Sequence, residues 1–405
     1  MATAELAGNY RSIETVDVAN KRVIVRADLN VPMSGAEIAD ATRIERFLPT
    51  LTDLTGRGAR VIVLSHLGRP EGAPDTAYSL KPIAVHLRSA MKGIPVHFSE
   101  NSTGDQAKSD AANLKPGEVL VLENVRFHPG EEKNDAAYAA ELATLGDLYV
   151  NDAFSVSHRA HASTEAIAHL LPAYAGPSMM AEIDAFKVSL DRPERPVAAV
   201  IGGSKVSTKL RVLVHLAKKM DVLIIGGGMA NTFLFAQGYR VGRSLHEPKF
   251  VDTVDAILSQ AAESGCKVIL PSDFVVAHDL KANAQTKIVA IGEVPQDQMI
   301  LDVGPRSVAE FTRRIERCKT LLWNGPLGAF ETPPFEAATF QLAREAARLT
   351  SEGKLVTIAG GGDTVAALNA AGVTDRFTYV STAGGAFLEW LEGKVLPGVA
   401  ALTRA

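Results

Sequence analysis

The chain has 405 residues, 46% hydrophobic and 22% charged, which excludes intrinsic disorder and, at about 150 residues per domain, suggests roughly two to three domains. With 42 Lys+Arg against 46 Asp+Glu the formal charge is -4, a balance that argues against a polyanion-coating protein. Two cysteines, Cys266 and Cys318, are too few for a disulfide framework or a four-Cys zinc site and suit a reducing compartment.

The opening stretch MATAELAGNY has neither the basic nor the apolar region of a signal peptide. No run reaches the roughly 18 apolar residues of a membrane-spanning helix, so the expectation is a cytoplasmic protein. In chain order, the predicted strands are Arg22–Arg26, Arg60–Leu64, Val119–Leu122, Leu148–Val150, Val197–Ile201, Val222–Ile225, Lys267–Leu270, Thr320–Trp323 and Leu355–Ala359. They are nearly continuous apolar runs, as strands covered on both faces require. Between them lie Ala- and Leu-rich stretches with helical spacing, such as Ala136–Leu145, Val251–Ser264 and Phe335–Thr350. Strand alternating with helix predicts an α/β protein with mostly parallel sheets. The charged, proline-bearing Leu190–Pro196 (LDRPERP) interrupts the pattern, and Ser178–Leu190 lacks Pro and Gly. These features predict two lobes of similar size joined by a helix.

In open α/β sheets, ligands bind beyond the carboxyl ends of the strands. In the first half those ends deliver Asp28 and Asn30, then His66 and Arg69, then Arg126 and His128, then His158, Arg159 and His161, with Arg43 at a helix start. Cations converging on one crevice suit a ligand with several negative charges, and the arginine fork binds carboxylate or phosphate in bidentate fashion. A single arginine there is ordinarily a solvated loop residue; the repetition carries the reading. His86, His97, His169 and His215 lack this placement and read as structural. A metal reading of His158 and His161 lacks a Cys or carboxylate at ligand spacing.

In the second half the strand ends are glycines: Gly202-Gly203-Ser204-Lys205, Gly226-Gly227-Gly228, Asn324-Gly325-Pro326 with Glu331 just after, Gly360-Gly361-Gly362-Asp363-Thr364, and Ala383-Gly384-Gly385. A strand, a glycine turn and a helix start together present oriented N–H groups to phosphate. Neither G-x-x-x-x-G-K-[ST] nor G-x-G-x-x-G is present, which leaves a nucleotide site without a standard fingerprint. Lys205 and Lys209 are expected to share a helix face. Asp363 reads either as a helix N-cap or as a ligand for Mg²⁺. One lobe for a small polyanion and one for a nucleotide fit a kinase. A nicotinamide-dependent dehydrogenase and a nucleotide-binding regulatory module are the rival readings.

The segments RADLNVP (26–32), SHLGRP (65–70), ENVRFHPG (123–130), HRAHAST (158–164), GGSKVSTK (202–209), NGPLGAFE (324–331), GGGDT (360–364) and LEGKVLPG (391–398), in this order, resemble the phosphoglycerate kinase family over nearly the whole chain. The resemblance implies two Rossmann-like three-layer lobes: residues 1–178 with 391–405, a joining helix 179–190, and residues 191–390, with the C-terminal tail returning to the N-lobe. It implies reversible, Mg²⁺-dependent phosphoryl transfer between ATP and 3-phosphoglycerate by a monomer that closes on its substrates, with no nucleic-acid or membrane partner. By motif, Asp28, Asn30, Arg43, His66, Arg69, Arg126 and Arg159 would hold phosphoglycerate. Lys205, Lys209, Gly226, Gly227, Asn324, Glu331 and Gly360–Thr364 would hold the nucleotide, with Glu331 on the ribose and Asp363 on Mg²⁺. Arg43, Lys205 and the N–H groups of Gly361 and Gly384 would neutralise the transferring phosphoryl group. The chain departs from the family's usual residues at Ser204, Thr208, Ser155-Val156-Ser157 and Ala383.

Overall fold

The computed structural model describes residues 10–403. The chain divides into two compact units at 184/185 and 394/395, so that residues 395–403 belong with the N-terminal unit and Ala185–Lys394 forms the other. Each unit is built on its own six-stranded parallel sheet.

In the N-terminal unit the strand order is Val96–Ser99, Val119–Leu122, Arg60–Leu64, Arg22–Arg26, Leu148–Asn151, Ala173–Ala175. Val23 pairs in register with Val61 on one side and Leu148 on the other. Alternate side chains point to opposite faces of a sheet. Val23, Ile24 and Val25 are all fully buried, so both faces are covered and the strand has no polar side to show. One face packs on helices Thr42–Gly56 and Lys81–Ala90 through Ile44, Phe47, Leu51, Ile83 and Leu87. The returning tail is tied to this unit by backbone. The Gly398 N–H donates to the Ser157 carbonyl at 2.9 Å, and Thr403 bridges Tyr10.

The helix Pro177–Phe186 runs into a π-turn, Lys187–Asp191, and the division at 184/185 falls inside it. Buried Asp152 fixes the helix start by accepting from the N–H groups of Ser178 (2.7 Å) and Met179 (3.1 Å).

The second unit orders Lys267–Ile269, Val222–Ile225, Val197–Ile201, Thr320–Asn324, Val356–Gly360, Tyr379–Ser381. Helices Pro305–Ile315 and Ala337–Ser351 cover one face through Val308, Phe311, Leu342 and Ala346. Helix Leu210–Lys219 buries Val212, Leu213, Leu216 and Ala217. An additional antiparallel sheet, Lys287–Ala290, Asp273–Ala277 and Met299–Val303, has its own small core around Phe274, Val276 and Val294. None of its strands was predicted. Among the described residues no helix is long and apolar enough to cross a membrane.

Candidate functional site

The N-terminal unit gathers its cations where the sequence placed them, at the carboxyl ends of the strands. Arg43, in the first turn of its helix, donates through Nη1 to Asp28 Oδ1 at 2.9 Å and to the Asn30 carbonyl at 3.0 Å. Asn30 in turn accepts at Oδ1 from the Gly68 N–H at 2.9 Å. Arg126, 7% exposed, donates to the Gly68 carbonyl at 2.8 Å and pairs with Glu132 at 3.1 Å. The loop Gly68-Arg69 is thereby held from both sides, and Arg69 itself is exposed. Arg159 is also exposed, its Nε donating to His158 Nε2 at 3.3 Å.

Beneath these residues lies an unpredicted layer. Arg26 is 1% exposed, and its guanidinium donates to Ser163 Oγ (2.8 Å), to His66 Nδ1 (3.1 Å) and to the Ala27 carbonyl. Ser163 donates its N–H at 2.9 Å, and also its hydroxyl, to the buried carboxylate of Glu131. Because His66 Nδ1 accepts from Arg26, its proton sits on Nε2. Burial holds His66 well below the usual histidine range, and the charges of Arg26, Arg126, His161 and Arg43 reinforce this. Burial, then Arg126, Arg26 and Arg159, pushes His161 down to about 3. Both rings are neutral at pH 7, so the positive charge of the cluster comes from arginine. His128 is not part of it: the ring stacks flat on Tyr138, centroids 3.9 Å apart.

At the Ser155-Val156-Ser157 departure both serine hydroxyls are bonded. Ser155 Oγ donates to Asp28 Oδ2, and Ser157 Oγ donates to the Ala153 carbonyl at 3.1 Å.

In the second unit the glycine loops pack backbone against backbone. Gly325 has φ +102°, and a Cβ there would lie 2.2 Å from the Gly202 carbonyl oxygen, so only glycine fits. Lys209 turns inward, its ammonium donating to the carbonyls of Gly202 (2.7 Å) and Asn324 (3.2 Å). Burial lowers its pKa to about 8, partly offset by Asp363. Asn324 donates through Nδ2 to the Gly360 carbonyl at 2.7 Å, while its buried Oδ1 has no partner. Thr364 Oγ1 accepts from the Gly325 N–H at 2.7 Å.

A cleft of about 400 Å³ opens beside these loops. Gly203, Gly227, Glu331 and Asp363 line it together with apolar side chains including Leu245, Phe274, Leu280, Met299 and Leu327. Asn324, Gly360 and Thr364 are not wall residues: Asn324 is bonded to Gly360, and Thr364 to Gly325, next to the wall residue Asp363. Gly226 ends its strand by donating to the Ile201 carbonyl at 3.0 Å and is not a wall residue.

Two expectations are corrected. Lys205 and Lys209 do not share a helix face, because a 3₁₀ turn, Val206–Thr208, separates them and the α-helix begins only at Leu210. Lys205 is exposed and extended, with φ -135°, outside the walls of the cleft. Asp363 is not the N-cap of its helix: Gly361, at φ +97°, occupies that position, and Asp363 lies inside the first turn. The Ala383 departure costs no backbone strain, since its φ is -82° while Gly384, at φ +35°, keeps the conformation that favours glycine. Gly384 lies outside the cleft walls, at the start of helix Gly384–Leu391.

The antiparallel sheet supplies wall residues that sequence reasoning missed, among them Phe274, Met299 and Asp302. Asp302 accepts from the N–H groups of Val303 and Ala338, both at 2.9 Å. Burial, with Glu336 nearby, pushes its carboxyl up to about 7. Its one sequence signal is a carboxylate inside the apolar run MILDV (299–303).

The family model for phosphoglycerate kinase matches residues 13–394. A phosphoglycerate kinase of Chelativorans sp. is 57% identical over 399 residues, covering 98% of this chain and 100% of its own. One of Methylorubrum extorquens is 58% identical over 395 residues, covering 97% and 98%. The solved structure of phosphoglycerate kinase from Coxiella burnetii superposes with a TM-score of 0.92 at 42% identity, covering 97% of this chain and 99% of that one. Two parallel-sheet units, one bearing an arginine cluster and the other a glycine-lined cleft, thus coincide with full-length similarity, and the chain belongs to the phosphoglycerate kinase family.

Proposed function

We propose that this enzyme catalyses reversible phosphoryl transfer between ATP and the carboxylate of 3-phosphoglycerate, giving ADP and 1,3-bisphosphoglycerate, as in glycolysis. The observation that carries the reading is the division of labour. Four arginines, Arg43, Arg69, Arg126 and Arg159, are presented by strand-end loops and a helix start in one unit, and a cleft with glycine backbone, Glu331 and Asp363 lies in the other.

Asp28 and Asn30 orient Arg43 and the Gly68 loop, so that the arginine forks meet the phosphate and carboxylate of phosphoglycerate. Neutral His66, with its proton on Nε2, adds a donor that brings no charge. The apolar walls of the cleft suit a purine, Glu331 the ribose hydroxyls, and Lys209 with the N–H groups at Gly361 the phosphates. The acceptor carboxylate is already ionised at neutral pH, so its attack on the γ-phosphoryl needs no general base. Catalysis is therefore placement and charge neutralisation, which we assign to Arg43, Lys205 and the N–H groups of Gly361 and Gly384.

The donor set fits Mg²⁺ bound mainly by nucleotide phosphates. Asp363 is a carboxylate on the cleft wall, and no group of three or more His, Cys, Asp or Glu among the described residues forms a cage of its own. Bound there, the ion would neutralise phosphate charge.

The reaction requires both sites to face one phosphoryl group, so closure on the two substrates belongs to the proposal, as do monomeric state and action in the cytoplasm. The buried free thiols of Cys266 and Cys318 support a reducing compartment. A coupled assay of ADP formation tests the reading. The expected result is ADP release that depends on 3-phosphoglycerate; ADP release indifferent to it contradicts the proposal.

A further inference from the structure

Lys205 is exposed and carries no α-helix around it, yet the proposed reaction needs its ammonium at a defined place. Its backbone is anchored from the residues that follow. Val206 is fully buried, and Thr208 Oγ1 donates back to the Lys205 carbonyl at 2.8 Å. Between them, Ser207 is gripped at two points by one carboxylate. Its N–H donates to Glu247 Oε2 at 2.8 Å and its hydroxyl to Glu247 Oε1 at 2.7 Å. Glu247 comes from the segment ahead of the turn Pro248–Phe250, far along the chain. Its own N–H donates to Oγ1 of the fully buried Thr232 at 3.1 Å, inside helix Gly227–Ala236. A continuous path of bonds therefore runs from the interior of the helix that starts at the cleft wall, through Glu247 and Ser207, to the turn that presents Lys205.

The carboxylate also faces two ammonium groups. Burial is the largest single influence and works against its charge, but the two bonds from Ser207, with Lys205 and Lys249, together outweigh it and hold the carboxyl below the usual carboxylate range. It stays ionised at working pH, keeping all four lone-pair directions as acceptors. A turn of three residues has little stability of its own, because its hydrogen-bond geometry is poor. Without the grip, the Lys205 side chain would start from a backbone free to shift.

We propose that Glu247 is a positioning residue for phosphoryl transfer, acting through its two-point grip on Ser207 to fix the turn that carries Lys205. The proposal rests on the assignment of Lys205 to the transferring phosphoryl group. Glu247 is neither a wall residue of the nucleotide cleft nor one of the residues assigned to the acceptor, so its removal should lower kcat and leave KM for both substrates unchanged.

The test uses the full-length enzyme and steady-state kinetics with both substrates varied. Glu247→Ala is expected to lower kcat by about 10- to 100-fold, the scale of a misplacement on the order of 1 Å. Glu247→Gln keeps both arms, with the amide oxygen accepting from the Ser207 N–H and the amide nitrogen donating to its hydroxyl, and should recover most of the loss. Ser207→Ala removes one arm only and should give a smaller fall with the same split. In a Lys205→Ala background, Glu247→Ala should lower kcat no further. A rise in KM with unchanged kcat, a Gln variant as poor as Ala, or additive losses in the double variant each overturn the proposal. If Glu247→Ala does not fold, the Ser207→Ala split and its double variant with Lys205→Ala decide the matter in the same way. If Lys205→Ala alone leaves kcat intact, the assignment of Lys205 has failed, a result distinct from failure of the grip.

Discussion

Three residues separate Lys205 from Lys209, and the fold gives the two lysines different surroundings. Lys209 spends its ammonium on two backbone carbonyls and holds the glycine loops together, whereas Lys205 is left exposed. Lys205→Ala should therefore leave the fold intact and lower kcat by about 10³- to 10⁵-fold, the range of charge-stabilising groups in phosphoryl transfer. Less than a tenfold fall in steady-state kinetics contradicts the assignment. Sequence spacing alone suggested a shared helix face, because an i,i+4 pair says nothing about whether the intervening residues form a 3₁₀ turn. The arginine and histidine positions were legible since, Arg43 at its helix start apart, each lies in a loop after a strand. The layer beneath was not: Glu131 and Ser163 are ordinary residues in their loops, and only the fold reveals their link to Arg26. That layer has a pH signature. The folded pKa of His161, about 3, lies below its ordinary value of about 6.5. Its contribution is present above pH ~6.5 and is lost as pH falls, because the unfolded chain takes up the proton first. Chemical denaturation at pH 7 and pH 5 should show the wild type losing more stability than His161→Gln, by up to about 1.4 kcal/mol per pH unit. Parallel losses would contradict the buried neutral histidine.

At the level of elements, the parallel strands were readable because burial on both faces writes itself as a continuous apolar run. Arg22–Arg26, Arg60–Leu64, Val119–Leu122, Val197–Ile201 and Val222–Ile225 match their predicted bounds. The antiparallel sheet escaped because its two flanking strands are only partly buried, with Lys287–Ala290 exposing half its residues and Met299–Val303 carrying Asp302, while the buried central strand Asp273–Ala277 opens on a charge. Edge strands Val96–Ser99 and Ala173–Ala175 are short and polar or small, so they lack the run as well. Asp302 shows what the missed sheet contributes. It ties strand Met299–Val303 to the start of helix Ala337–Ser351, and Gly328 packs so closely that a Cβ would lie 2.1 Å from Oδ1. Asp302→Ala should cost about 1–3 kcal/mol by leaving buried N–H groups unpaired. It should also weaken nucleotide binding, because the loop bearing Glu331 loses its backing. With a folded pKa of about 7, raised from an ordinary value of about 3.9, the wild-type carboxyl contributes stability that is full at low pH and lost as pH rises through neutrality. Asp302→Asn should remove that loss. Denaturation curves at pH 6 and pH 8 that shift equally for wild type and Asn would contradict it.

Across the whole molecule, one unit holds the arginine cluster and the other the glycine-lined cleft, and the chemistry needs both. Closure follows only if the substrates bind the closed form more tightly, since a ligand indifferent to the two states shifts nothing. Small-angle scattering should then give a smaller radius of gyration with a nucleotide analogue and 3-phosphoglycerate together than with neither. The claim beneath all of this is that each unit recognises one substrate. Calorimetric titration of Arg69→Ala with each ligand separately tests it most directly. Loss of one charge-assisted contact should weaken 3-phosphoglycerate by about 1.5–3 kcal/mol and leave nucleotide affinity unchanged. Equal weakening of both ligands, or weakening of the nucleotide alone, would contradict the division.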